Sequence, residues 1–235
     1  MSTQLRDILI AVTVALALVA VLWQRAQQAR PDAQAPANWQ AFPDHVVAHA
    51  EPLPQFADGG WSRVQQRVAS LNGMWSQVFQ KAGDDYSAPR VVQRAVDEEA
   101  CGAPSEGWAG LYCPAARTLV IDLDSHARRH GVIGQGFSEL LLGYIVAHEM
   151  GHHVQTLRGA PDTGTLENAR QHELHAECLA GVWGRAAGVP LPPPWAYAED
   201  AVHGTVQEQI QWLNAGYRSG RPADCDAIWS GATSP

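Results

Sequence analysis

The feature that most limits how this chain can fold is the stretch SELLLGYIVAHEMGHHVQTL, residues 138–157. As a helix it is apolar on nearly every side up to His148, and residues 148–153 then hold three histidines and a glutamate. A helix that is apolar all round belongs in the centre of a domain. Polar side chains at such a depth are costly unless they are paired or hold a metal ion. One helix must therefore organise both a core and a polar centre.

The spacing within the cluster specifies chemistry. His148 and His152 are four residues apart, so their imidazoles project from one helical face and can share a cation. Glu149, next to the first histidine, is held beside the same point. This HExxH pattern fits two zinc ligands and a carboxylate that takes a proton from water as it attacks a carbonyl. Zinc lowers the pKa of bound water from near 16 to about 7, which makes the attack feasible at neutral pH.

A catalytic zinc needs a third protein ligand and an open position. HELHAEC, residues 172–178, offers Glu173, with His172 or His175 as competing ligands. His172 and Glu173 point about 100° apart on a helix, so both cannot serve. Glu173 is preferred, because Glu177 then lies one turn further along the same face. There it can accept a hydrogen bond from the free ring nitrogen of a ligand histidine. His153 faces elsewhere and reads as a packing or surface residue. Acyl transfer also needs a donor for the oxyanion, and His203 is the candidate catalytic residue for it, with Tyr217 as a second choice; a helix-capping or surface histidine is the competing reading of His203.

Around this centre, Trp61, Val64, Val68, Leu71, Trp75 and Phe79 recur at helical spacing and predict an amphipathic helix over 61–81. Two short β-branched runs, APRVVQRAV and RTLVIDLD, predict strands separated by a Gly/Pro-rich loop between Cys101 and Cys113. Further helices are expected over 165–186 and 205–217. Residues 8–23 form an uncharged apolar run, about 24 Å long as a helix, and the lack of a small-residue cleavage site after it favours an uncleaved membrane anchor. The reading by region is an anchor over 1–25, a Pro/Ala-rich tether over 26–59 and a domain over 60–235. Four cysteines without a CxxC pair fit two disulfides and an extracytoplasmic body, periplasmic or at the cell surface. A formal charge of -8 without a basic block gives no reason to expect nucleic acid as a partner.

Several blocks, among them WSQVFQKAGDDYSAPRVV, CGAPSEGWAGLYCP, YIVAHEMGHHVQ, ELHAECLAGVW and VHGTVQEQIQWLNAGYRSGRPADCD, together resemble the neutral zinc metallopeptidases of bacteria, which are membrane-tethered zincins. The resemblance spans roughly residues 74–227. It implies an α+β, zincin-like domain with a small β-sheet and an active-site helix, preceded by one N-terminal transmembrane helix. It also implies Zn2+ on His148, His152 and Glu173, Glu149 as general base, and disulfides Cys101–Cys113 and Cys178–Cys225. The chain departs from the family at Glu177, where an aspartate is usual, and in the shorter stretch before His203. The activity expected is endopeptidase cleavage of a peptide or protein. The alternative is a non-catalytic envelope module that keeps zinc for stability.

Overall fold

The computed structural model describes residues 39–50, 60–93, 108–130, 135–160 and 164–230. All of them belong to one compact unit, residues 35–235. In chain order the elements are α1 (Trp61–Ala82), β1 (Arg90–Gln93), β2 (Gly110–Cys113), β3 (Thr118–Ile121), α2 (Leu123–His130), α3 (Gln135–Leu157), α4 (Leu166–Ala186) and α5 (Val206–Ser219). A short 3-10 turn at Pro194–Ala196 and a longer 3-10 segment at Pro222–Ser230 flank α5. The result is the expected mixture of helices with one small sheet.

The α3 helix carries the motif through the centre, with Val146, Met150 and Val154 fully buried. Helix α1 packs against it through an apolar face that includes Val64, Leu71, Trp75 and Phe79. On the other side lies α4, and Gly151 allows the close approach: a β-carbon there would stand 3.0 Å from the Ala176 backbone. Helix α5 then packs on α4 more tightly still, because Gly181 and Gly216 let backbone meet backbone. Thr165 caps α4 by accepting from Asn168 N–H at 3.1 Å. Thr205 and Glu208 form a reciprocal capping box that starts α5.

The sheet has the order β1-β3-β2, with β1 parallel and β2 antiparallel to β3. Leu119 and Ile121 point into the core. Among the described residues, strand β2 is therefore an edge, and it runs beside α3.

Three sequence expectations change. The second predicted strand stops at Ile121, because Asp122 caps α2 by accepting from Ser125 N–H at 2.9 Å and Ser125 Oγ–H at 2.7 Å. Strand β2 lies in what had read as a loop ending at Cys113. Residues 39–50, read as part of the tether, pack into the body, with Phe42, Val46 and Ala48 buried. Two backbone bonds hold this segment, Gln40 N–H to Arg158 O and Ala48 N–H to Gly220 O, both 2.9 Å. The guanidinium of buried Arg158 covers the Phe42 ring at 4.2 Å and donates to the carbonyls of Gln40 and Ala41 and to Asp84.

A disulfide joins Cys178 to Cys225. Cys113 is also disulfide-bonded, and its expected partner Cys101 lies outside the described residues. The apolar run at 8–23 lies outside them as well; among the described residues, no helix is long and apolar enough to cross a membrane.

Candidate metal centre and active-site cleft

Helices α3 and α4 bring their polar faces together at one point. His148 Nε2 lies 2.9 Å from Glu173 Oε2, His152 Nε2 lies 3.2 Å from the same oxygen, and the two Nε2 atoms are 3.1 Å apart. A tetrahedral ion with ligand bonds of about 2.0–2.1 Å sets its ligand atoms about 3.3 Å from one another. Two imidazole nitrogens and a carboxylate oxygen at these separations fit zinc in both donor type and spacing.

The other ring nitrogens are provided for. Glu177 Oε1 lies 3.1 Å from His148 Nδ1, at ion-pair distance though poorly aligned for a hydrogen bond. The extra methylene, relative to aspartate, still brings its carboxylate to that ring. His152 Nδ1 lies 3.0 Å from Gln155 Oε1. Each ring thus has an acceptor on its Nδ1 side, which leaves Nε2 as the atom that could bind a metal ion.

The electrostatics are those of a cation site holding protons. Burial opposes charge on His148, but the bond from Glu173 and the negative charges of Glu177 and Glu173 outweigh it and raise its pKa well above the ordinary value. His152 is likewise raised, with burial opposing and the charge and bond of Glu173 prevailing. The same histidines overcome burial at Glu173 and hold its carboxyl well below the usual range. Glu149 is raised, mainly by burial, with the histidines pulling the other way. A carboxyl lifted toward neutrality suits a group that must take up and release a proton.

His203 enters the site from the loop before α5. Asp200 fixes it, accepting from the His203 backbone N–H at 2.7 Å and bonding Nδ1 at 2.8 Å. Its Nε2 lies 3.5 Å from Glu173 Oε2, and one ligand atom each from His148, Glu173 and His203 lie within 4.8 Å of one another. His203 is thus brought together with the motif. Tyr217 is not among the residues lining the cleft. His153 is a packing residue: it is fully buried, with Tyr112 Oη 3.0 Å from Nδ1 and Ser87 O 2.7 Å from Nε2.

Neither competing ligand joins the cluster. His175 is fully buried and faces Gln155 and Asp226 at 3.2 and 3.3 Å. His172 turns its Nδ1 to Gln155 Oε1 at 3.2 Å. The sequence reading missed Gln155. Its position, three residues beyond His152 and so on nearly the same face, was the available signal.

A cleft of about 340 Å³ opens over these groups. One wall is the β2 edge, with Gly110, Leu111 and Tyr112, and the mouth carries Trp108, whose ring lies 5.2 Å from that of His203. Gly110 leaves room for Glu149: a β-carbon there would stand 2.8 Å from its Oε1.

Comparison with known proteins agrees with this geometry. The family model described as "Putative neutral zinc metallopeptidase" matches residues 10–190, and the chain belongs to that family. It is 33 % identical to the uncharacterized protein YpfJ of Escherichia coli K12, over 68 % of this chain and 69 % of that one. It is 28 % identical to the uncharacterized protein Rv2575 of Mycobacterium tuberculosis H37Rv, over 70 % and 71 % of the two chains. No solved structure matches the chain.

Proposed function

We propose that the protein is a zinc-dependent endopeptidase, with His148, His152 and Glu173 holding the ion and Glu149 as general base. The observation that carries this reading is the position of Glu149, which lines the cleft together with the converging ligand atoms and strand β2. A structural zinc site has no need of that carboxylate. When bound, the zinc supplies Lewis-acid chemistry that polarises a carbonyl and makes water nucleophilic near neutral pH.

The chain's own groups do the rest. An extended peptide can lie along β2, which among the described residues pairs with β3 alone. Glu149 takes a proton from the water as its oxygen bonds to the carbonyl carbon, then gives that proton to the departing amine nitrogen as the C–N bond breaks. As the imidazolium, donating Nδ1–H to Asp200, His203 donates Nε2–H to the carbonyl oxygen as negative charge develops there. We infer further that residues 8–23 anchor the chain in a membrane and that the body is extracytoplasmic. The apolar run and the disulfide-bonded state of Cys113, Cys178 and Cys225 support this.

The test is cleavage of a diverse peptide library by the zinc-loaded full chain beside Glu149→Gln at matched zinc content. Cleavage by the parent alone is the expected result. Equal zinc in both with cleavage by neither would overturn the peptidase.

The distance from His203 Nε2 to Glu173 favours a second reading, in which His203 is a fourth ligand that closes the site and makes zinc structural. His203→Ala separates the two. As an oxyanion donor its loss lowers kcat about 100-fold and leaves zinc affinity unchanged, whereas as a ligand its loss weakens zinc binding itself.

A further inference from the structure

Behind the metal ligands, Gln155 is the hub of a buried hydrogen-bond chain whose direction can be worked out. Its Nε2 lies 2.7 Å from the backbone carbonyl of His172. A carbonyl only accepts, so the amide NH2 must face it and Oε1 must face the other way. That oxygen lies 3.0 Å from His152 Nδ1 and 3.2 Å from His172 Nδ1, so both nitrogens carry protons and donate to it. The second N–H of Gln155 donates to His175 Nδ1 at 3.2 Å, so the His175 proton sits on Nε2. From there it is given to Asp226 Oδ1 at 3.3 Å, and Asp226 Oδ2 accepts Phe42 N–H at 3.0 Å. With Gln155 2 % and His175 0 % exposed, little water is at hand to replace these bonds.

We propose that Gln155, held by His175 and Asp226, is a positioning residue. It fixes His152 as the tautomer protonated at Nδ1, with Nε2 presented to the ion, and through Asp226 it ties that ligand to the N-terminal segment at Phe42. This rests on the zinc reading above. The chain has only one consistent set of donors and acceptors, because the His172 carbonyl at one end and the Phe42 N–H at the other cannot exchange roles. Trp39 and Trp229 pack on His175 with ring centroids 5.1 and 4.9 Å away, which holds the imidazole in plane with its partners' reach. Cys225, bonded to Cys178, sits next to Asp226 and pins the far end of the chain to α4.

The test uses the metal-free full chain and Co2+ as the probe, read by its visible absorption. Gln155→Met keeps the volume and removes the bonds, and should weaken Co2+ binding about 10- to 100-fold. Asp226→Ala, which touches no ligand, should weaken it on the order of threefold to tenfold. The double variant should bind no worse than Gln155→Met alone, since the two act through one chain. Wild-type affinity in Gln155→Met, or single effects that simply multiply in the double variant, would overturn the proposal.

Should Gln155→Met fail to fold, imidazole 1H–15N correlations of the zinc-loaded parent decide. His152 protonated at Nδ1 and His175 at Nε2 uphold the chain of bonds; the opposite tautomer of either removes it. Failure of the parent to bind Co2+ would sink the zinc reading instead. The bond chain would then stand or fall on the His175 tautomer in the metal-free protein.

Discussion

Single atoms set the limits of this site. Gly110 on the cleft wall stands so close to α3 that a β-carbon would lie 2.8 Å from both Glu149 Oε1 and Ile145 Cγ2. Gly110→Ala should therefore push the Glu149 carboxylate out of line and lower kcat, by about 100-fold for a displacement near 1 Å, while zinc content stays at the parental level. Steady-state kinetics beside metal analysis checks this. The protons on the candidate ligands give a second expectation. A folded-state pKa raised above the unfolded one contributes stability that is fully present below the unfolded pKa, about 6.5 for histidine, and is lost as pH rises through the folded value. His148 and His152 are both raised, so the metal-free protein should lose stability from about pH 6.5 upward. Glu173 is depressed, so its contribution is lost only in acid, below that window. Zinc displaces the imidazole protons and should bind more tightly as pH rises. The Tm gap between zinc-loaded and metal-free protein should thus widen from pH 6.5 to 8.5, and calorimetry in buffers of different ionisation enthalpy should show proton release. A gap that narrows would contradict the assignment.

At the level of elements, the site depends on how closely α4 is pressed to α3 and α5 to α4. A β-carbon at Gly216 would stand 1.9 Å from Cys178 O, and one at Gly181 would stand 2.1 Å from Leu213 O. The obstruction is backbone on both sides, so nothing can turn aside. Gly216→Ala should cost about 3 kcal/mol or more and move α4, lowering the thermal midpoint and zinc affinity together in a melt followed with and without metal. These helices were legible in the sequence because each has a long periodic face and a capping residue, Thr165 or Thr205. The sheet was less so. A four-residue strand such as GLYC has too little pattern to stand out, and Asp122 turns the chain into α2 by a side-chain bond that composition does not announce. The convergence of His148, His152 and Glu173 was legible for the opposite reason, since HExxH and the Glu173/Glu177 pair repeat at a helical turn. Gln155 was not, because its meaning lies in partners from α4 and the C-terminal 3-10 segment.

For the molecule as a whole, the segment at 39–50 changes where the functional unit begins. A stretch rich in Pro, Ala and Asp reads as tether by composition, yet Phe42 lies against Trp75 and Phe79 with ring centroids 6.0 and 5.6 Å apart, and Val46 is wholly buried. Few apolar residues suffice when each is buried and the backbone on either side of them is bonded to Arg158 and Gly220. Removing the segment would expose Trp75 and Phe79 and strip Arg158 of its partners on Gln40 and Ala41. It would also take the Phe42 N–H from Asp226. Loss of Phe42 and Val46 burial alone comes to about 3–6 kcal/mol, at about 1.5–3 kcal/mol for each side chain, a large share of a typical domain's stability of about 5–15 kcal/mol. A chain beginning at residue 60 should therefore melt well below one beginning at residue 35, and should bind zinc more weakly even at temperatures where both are folded. Equal melting points and equal zinc affinity for the two would return residues 39–50 to the role of tether.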